Sequence, residues 1–110
     1  MYKDPDSAVE VRVEDLLQRM SLKEKVAQTV CVHLKPDVVD EEGRIQKRKL
    51  STLLRHGIGQ LGKPNQAFGR SAEESARIVN TLQEYVVEKS RLGIPAIVHE
   101  ECLHGLWARG

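Results

Sequence analysis

Ala96-Ile97-Val98 is an apolar run too short for a helix, preceded by Gly93 and Pro95 and running straight into His99-Glu100-Glu101-Cys102-Leu103-His104-Gly105. Two carboxylates, a thiol and two imidazoles within six positions are the pattern of a buried strand delivering polar groups to a functional rim. A strand apolar on both faces fits a parallel sheet covered by helices. Such a strand needs a parallel neighbour, and a parallel neighbour needs a crossover, usually a helix.

Both are present upstream. Ile58-Gly59-Gln60-Leu61-Gly62 is too short and too glycine-punctuated for a helix and reads as a buried strand whose glycines admit close neighbours. A loop from Lys63 to Arg70, with Pro64, Asn65 and Gly69, follows. Ser71 with Glu74 is then a capping box, and Ala72, Ala76, Val79, Leu82, Tyr85 and Val86 trace the apolar face of the longest helix. Gly93 stops that helix and Pro95 forbids its resumption. Residues 58–101 thus predict a right-handed βαβ unit with two parallel strands, about 58–62 and 96–101, whose polar groups gather at the strands' C-terminal ends.

Residues 1–57 read as a helical lead-in. Ser7 with Glu10 and Ser21 with Glu24 are two more capping boxes. Val9, Val13, Leu16, Leu17 and Met20 form the stripe of a first helix; Leu22, Val26, Ala27 and Val30 form that of a second. Lys35-Pro36-Asp37 ends that element, and Asp37 to Gly43 is an acidic loop. Helical spacing returns at Ile45, Leu50, Leu53 and Leu54, with Gly57 as a left-handed stop. Short amphipathic helices need something larger to lie on. Two parallel strands leave both sheet edges open, which leads to the expectation that residues 1–110 are the N-terminal piece of a larger α/β protein.

Composition narrows the function. The chain is 40% apolar, 30% charged and only 4% aromatic, so its core is aliphatic. A net charge of +1, from 17 basic and 16 acidic residues, gives no footprint for nucleic acid or an anionic membrane. Arg44, Lys47, Arg48 and Lys49 read as a solvated helix face. Cys31 and Cys102 both sit in segments that look buried, and free buried thiols are the expectation. No run approaches a membrane span, and the N-terminus lacks the apolar core of a signal peptide. The expected location is cytoplasmic, or outside the cytoplasm if a leader has been removed.

Four readings compete for His99 to His104. A zinc helix needs its histidines four apart, whereas His99 and His104 stand five apart; at roughly 100° per residue that turns the second by about 140°, and on a strand it sends it to the opposite face. A Cys102 nucleophile with His104 as base wants an electropositive niche, yet Glu100 and Glu101 flank it. A structural reading has the histidine satisfied at a strand end and the glutamates in solvent. In the fourth, side chains alternate, so if Ile97 and His99 face a barrel interior Glu101 does too, and its carboxylate accepts hydrogen bonds from two sugar hydroxyls. Glu100 and Glu101 point in opposite directions on this reading and cannot flank one bond as an acid/base pair.

Three blocks in order carry a resemblance: Arg12-Val13-Glu14-Asp15-Leu16-Leu17-Gln18-Arg19-Met20-Ser21-Leu22-Lys23-Glu24-Lys25-Val26-Ala27-Gln28, then Gly57-Ile58-Gly59-Gln60-Leu61-Gly62, then Ser90-Arg91-Leu92-Gly93-Ile94-Pro95 with His99 to Gly105. Together they resemble the N-terminus of glycoside hydrolase family 3, most of all its bacterial β-glucosidases and β-xylosidases. The resemblance implies a TIM-type (β/α)8 barrel of which this chain is the opening portion, and retaining hydrolysis of terminal, non-reducing β-linked sugars through a covalent glycosyl-enzyme. It implies that Glu101 binds hydroxyls in the −1 subsite, while His104 and Gly105 shape the loop. No metal and no cofactor are expected, and the resemblance places the aspartate nucleophile, the Lys-His sugar contacts and the acid/base beyond residue 110. Many relatives carry an arginine where this chain has Trp107, and Arg109 is out of register; Trp107 either covers the barrel or stacks on a sugar. A β-N-acetylglucosaminidase of the same family, and a non-enzymatic α/β module recruiting a partner through its sheet edges, are the alternatives.

Overall fold

The computed structural model describes residues 1–33, 38–40, 42, 44–64 and 69–105. Four helices and three strands run in the order α1 (Val9–Arg19), α2 (Leu22–Gln28), β1 (Cys31–His33), α3 (Lys47–Leu53), β2 (Gln60–Gly62), α4 (Ala72–Lys89), β3 (Ile97–His99). The sheet is wholly parallel in the order β1-β2-β3, pairing Gln60 with Cys31 on one side and Ile97 on the other, and Gly62 with His33 and His99 likewise. Three strands therefore replace the expected two, and the first lies inside what reads as a helical lead-in. Among the described residues, the outer edges of β1 and β3 have no strand beside them.

Helix α2 stops two residues short of its apolar stripe. The β-branched Thr29 occupies its C-cap, its amide bonded to Val26 O and its hydroxyl to the same carbonyl, and Val30 passes into β1. The capping boxes at Ser21/Glu24 and Ser71/Glu74 form as expected, each serine accepting from the glutamate's amide while the carboxylate accepts from the serine's. The one at Ser7/Glu10 does not. The Ser7 hydroxyl donates to Asp4 instead, and α1 starts from Ala8 with no side-chain cap.

The core is aliphatic and lies on one side of the sheet. Leu61 of β2, with Val32 and Val98 beside it, meets Leu50 and Leu54 from around α3, Ile78, Leu82 and Val86 of α4, and Val38, Val39, Ile58 and Ala96 from the connections. The buried face of α4 runs through Ser75, Ile78, Leu82 and Val86, a rotation away from the Ala72-Ala76-Val79 line of the sequence reading. The helix turns to seat the larger Ile78 because burying a long aliphatic chain is worth more than burying alanine. Helix α1 buries none of its residues and is held by polar contacts: Tyr2 N–H donates to Asp15, Arg12 Nε to Tyr2 O, and the Tyr2 hydroxyl to Leu92 O.

Gln83 of α4 takes a strand's place beside the entry to β3. Its amide nitrogen donates to Ala96 O at 2.6 Å and its oxygen accepts Ala96 N–H at 2.9 Å. Removing both leaves a backbone donor and acceptor unmet in a half-buried place. Gln83→Leu is expected to lower stability by about 2 kcal/mol, read as a fall in urea midpoint at unchanged m.

Candidate functional site

Alternation along three-residue strands divides the sheet into two unlike faces. Val32, Leu61 and Val98 look into the core. Cys31, His33, Gln60, Gly62, Ile97 and His99 look the other way, and that face is bare: Ile97 is 66% exposed. The expectation that β3 is covered on both sides is thus corrected; this chain's helices cover one. Both cysteines, expected to be buried, are exposed and free.

The bare face concentrates polar groups. Cys31 Sγ lies 3.3 Å from His99 Nε2. Between the two histidines in register sits Gly62, where a Cβ would come within 2.7 Å of His33 Cδ2 and 3.1 Å of Cys31 Sγ. Glycine at the centre of the sheet is what allows β1's side chains to lean across it.

Just past the strands' C-terminal ends, Lys63 Nζ and Glu101 Oε2 pair at 2.9 Å. The hydrogen bond from Lys63 holds the Glu101 carboxyl below its usual range against the opposing effect of desolvation, and the Lys63 charge and the His33 and His99 rings act in the same direction. Glu101 is therefore an ionised, acceptor-only group at neutral pH. Cys102 and His104 beyond it are exposed, and Gly105 adopts the left-handed φ of +98° that the turn after Cys102 requires. Trp107 and Arg109 lie outside the described residues. Among the described residues no three His, Cys, Asp or Glu side chains are placed to hold a metal ion, and no helix is long and apolar enough to cross a membrane.

An apolar recess of about 450 Å³ lies elsewhere, lined by residues such as Leu22, Val26, Val30, Val32 and Leu53. Its walls offer few groups to orient a polar ligand. Chemistry is concentrated at the rim.

The strand expected to run to residue 101 ends at His99, so Glu101 lies two residues beyond it. Its neighbours His33, because β1 went unrecognised, and Lys63, which reads as ordinary loop, are absent from the sequence reading, as is Cys31 beside His99. The signal for β1 was there in Val30-Cys31-Val32, a short β-favouring run bounded by Thr29 and Pro36.

Comparison with known proteins bears on what this rim serves. Along 99% of its length the chain is 36% identical to a putative β-xylosidase of Formosa agariphila. Along 94% it is 33% identical to a probable β-glucosidase C of Aspergillus oryzae and 32% identical to its Aspergillus flavus counterpart. The chain is homologous to a segment of glycosidases. It spans only 14–16% of the length of these relatives. No family model matches the chain. Against these glycosidases the match runs across all three strands and the Lys63–Glu101 rim, because almost no part of the chain falls outside it.

Proposed function

We propose that this chain furnishes one wall of the sugar pocket in a retaining β-glycosidase of glycoside hydrolase family 3, with β1, β2 and β3 as neighbouring staves of a (β/α)8 barrel. The observation that carries the reading is the sheet's asymmetry: helices on one face, and on the other a bare surface of polar side chains ending in Glu101 and Lys63 at the strands' C-terminal ends. That is the side on which parallel barrels hold substrate. The names of the relatives supply the substrate class, a β-linked glucoside or xyloside.

On this reading Glu101 accepts hydrogen bonds from two hydroxyls of the terminal non-reducing sugar, each charge-assisted because the carboxylate is ionised. The wall carries recognition and no bond cleavage. Retaining hydrolysis needs a nucleophile and an acid/base on opposite sides of one glycosidic bond, and Glu100, its Oε2 buried, and Glu101, exposed at the rim, do not make that pair. Those two groups come from outside residues 1–110.

Titrating the ¹⁵N-labelled chain with methyl β-D-glucoside and methyl β-D-xyloside tests this. Amide shifts confined to Gly62, Lys63, His99 and Glu101, and lost in Glu101→Ala, are expected, with no release of nitrophenol from nitrophenyl β-glucoside. Shifts that survive Glu101→Ala remove that residue from the role. Turnover by the pure chain overturns the placement of the chemistry elsewhere.

A further inference from the structure

Lys63 is the sole non-glycine residue with positive φ among the described residues, at +57°. A lysine there is strained by roughly 1–2 kcal/mol, and glycine would relieve it. The segment nevertheless keeps a long cationic side chain at this point. Both ends of Lys63 grip the exit of β3: its amide donates to His99 O at 2.9 Å, and its ammonium meets Glu101 two residues on at 2.9 Å. The left-handed turn at the end of β2 is what bends the side chain back across the rim.

We infer that Lys63 is a positioning residue for Glu101, its strained backbone being retained to clamp that carboxylate in one direction at the strands' C-terminal rim. The inference deepens the sugar-binding reading and rests on it for what the clamped carboxylate grips. Among the described residues, Lys63 from the end of β2, His33 from β1 and His99 from β3 act on the Glu101 carboxyl. Only the first is changed in the test.

The experiment compares the whole 110-residue chain with Lys63→Gly and Lys63→Arg. It follows the Glu101 side-chain carboxyl by ¹³C NMR against pH, together with thermal melts and the methyl β-glucoside titration. The wild-type carboxyl should titrate below the usual range, Lys63→Gly should return it upward, and Lys63→Arg should keep it low. Lys63→Gly should melt no lower than wild type, because it sheds strain, while binding the glucoside about tenfold more weakly. A wild-type Glu101 titrating in the usual range, or a midpoint unmoved in Lys63→Gly, overturns the inference, as does a Lys63→Gly melt below wild type with that midpoint unchanged. If the carboxyl tracks residue 63 but the sugar never perturbs Glu101, the clamp stands and the sugar reading falls.

Discussion

Gly59→Ala is expected to destabilise the chain by more than about 3 kcal/mol or to prevent folding altogether. A Cβ at residue 59 would sit 1.9 Å from Gln28 O and 2.5 Å from Gln28 C. These are backbone atoms at the last residue of α2, so no side-chain rotation relieves the overlap. Nor can the strand retreat. Gly59 N–H donates to Ala27 O, Gln60 N–H to Val30 O, and Ile97 N–H to Gly59 O, at 2.8 to 3.1 Å. Moving residue 59 away from α2 therefore breaks the junctions with β1 and β3 together. Gly69→Ala is the control: nothing lies within 4 Å of its Cβ, though its φ is +57°, so only strain of roughly 1 kcal/mol is added. Urea melts of the two variants should differ widely in midpoint; equal midpoints would mean that α2 and β2 are not in contact as described.

The second large effect concerns Glu24, which is buried and accepts four hydrogen bonds. Arg91 gives two, from Nε at 2.9 Å and Nη2 at 2.6 Å, and Ser21 gives two, from its amide and its hydroxyl at 2.8 Å each. Arg91 also donates to Arg19 O at 2.7 Å, so one side chain ties the end of α1, the start of α2 and the turn after α4. Glu24→Gln is expected to cost about 2–3 kcal/mol near neutral pH. The amide keeps the shape but turns a donor toward the guanidinium, and solvent around the exposed Arg91 side chain limits the loss.

The pH dependence follows from the same contacts. Hydrogen bonds from Arg91 first, then from the Ser21 amide, pull the Glu24 carboxyl from 4.5 to about 2, against desolvation. A carboxyl with a lowered folded-state pKa contributes its full stability above about 4.5 and loses it as pH falls through about 2. Wild type should therefore lose stability steeply across that window, and Glu24→Gln much less so. Parallel slopes in urea melts between pH 5 and pH 2 would place the acid sensitivity elsewhere.

What the sequence made legible was what local chemistry dictates. Ser-x-x-Glu followed by an apolar stripe marked three helices, all of which form, but only two of the three capping boxes do, because Ser7's hydroxyl already donates to Asp4. Glycine and proline fenced off β3, and the parallel β2-α4-β3 arrangement followed from connectivity. What stayed hidden depends on three-dimensional cover. Three residues are too few for β1 to display a period against the helix before it, and Val30 fits the end of one stripe as well as the start of another. Ile97 is as apolar as Val98, so nothing in the run tells which of them faces the helices. The Lys63–Glu101 pair joins two strand ends far apart in sequence, a relation that spacing rules do not reach.

Among the described residues, no strand lies along the outer borders of β1 and β3. A neighbour laid along either meets amides and carbonyls, which demand extended conformation at a spacing of about 4.8 Å and are indifferent to residue identity. Evolution is free to rewrite the letters of any adjoining segment while its path through space stays fixed.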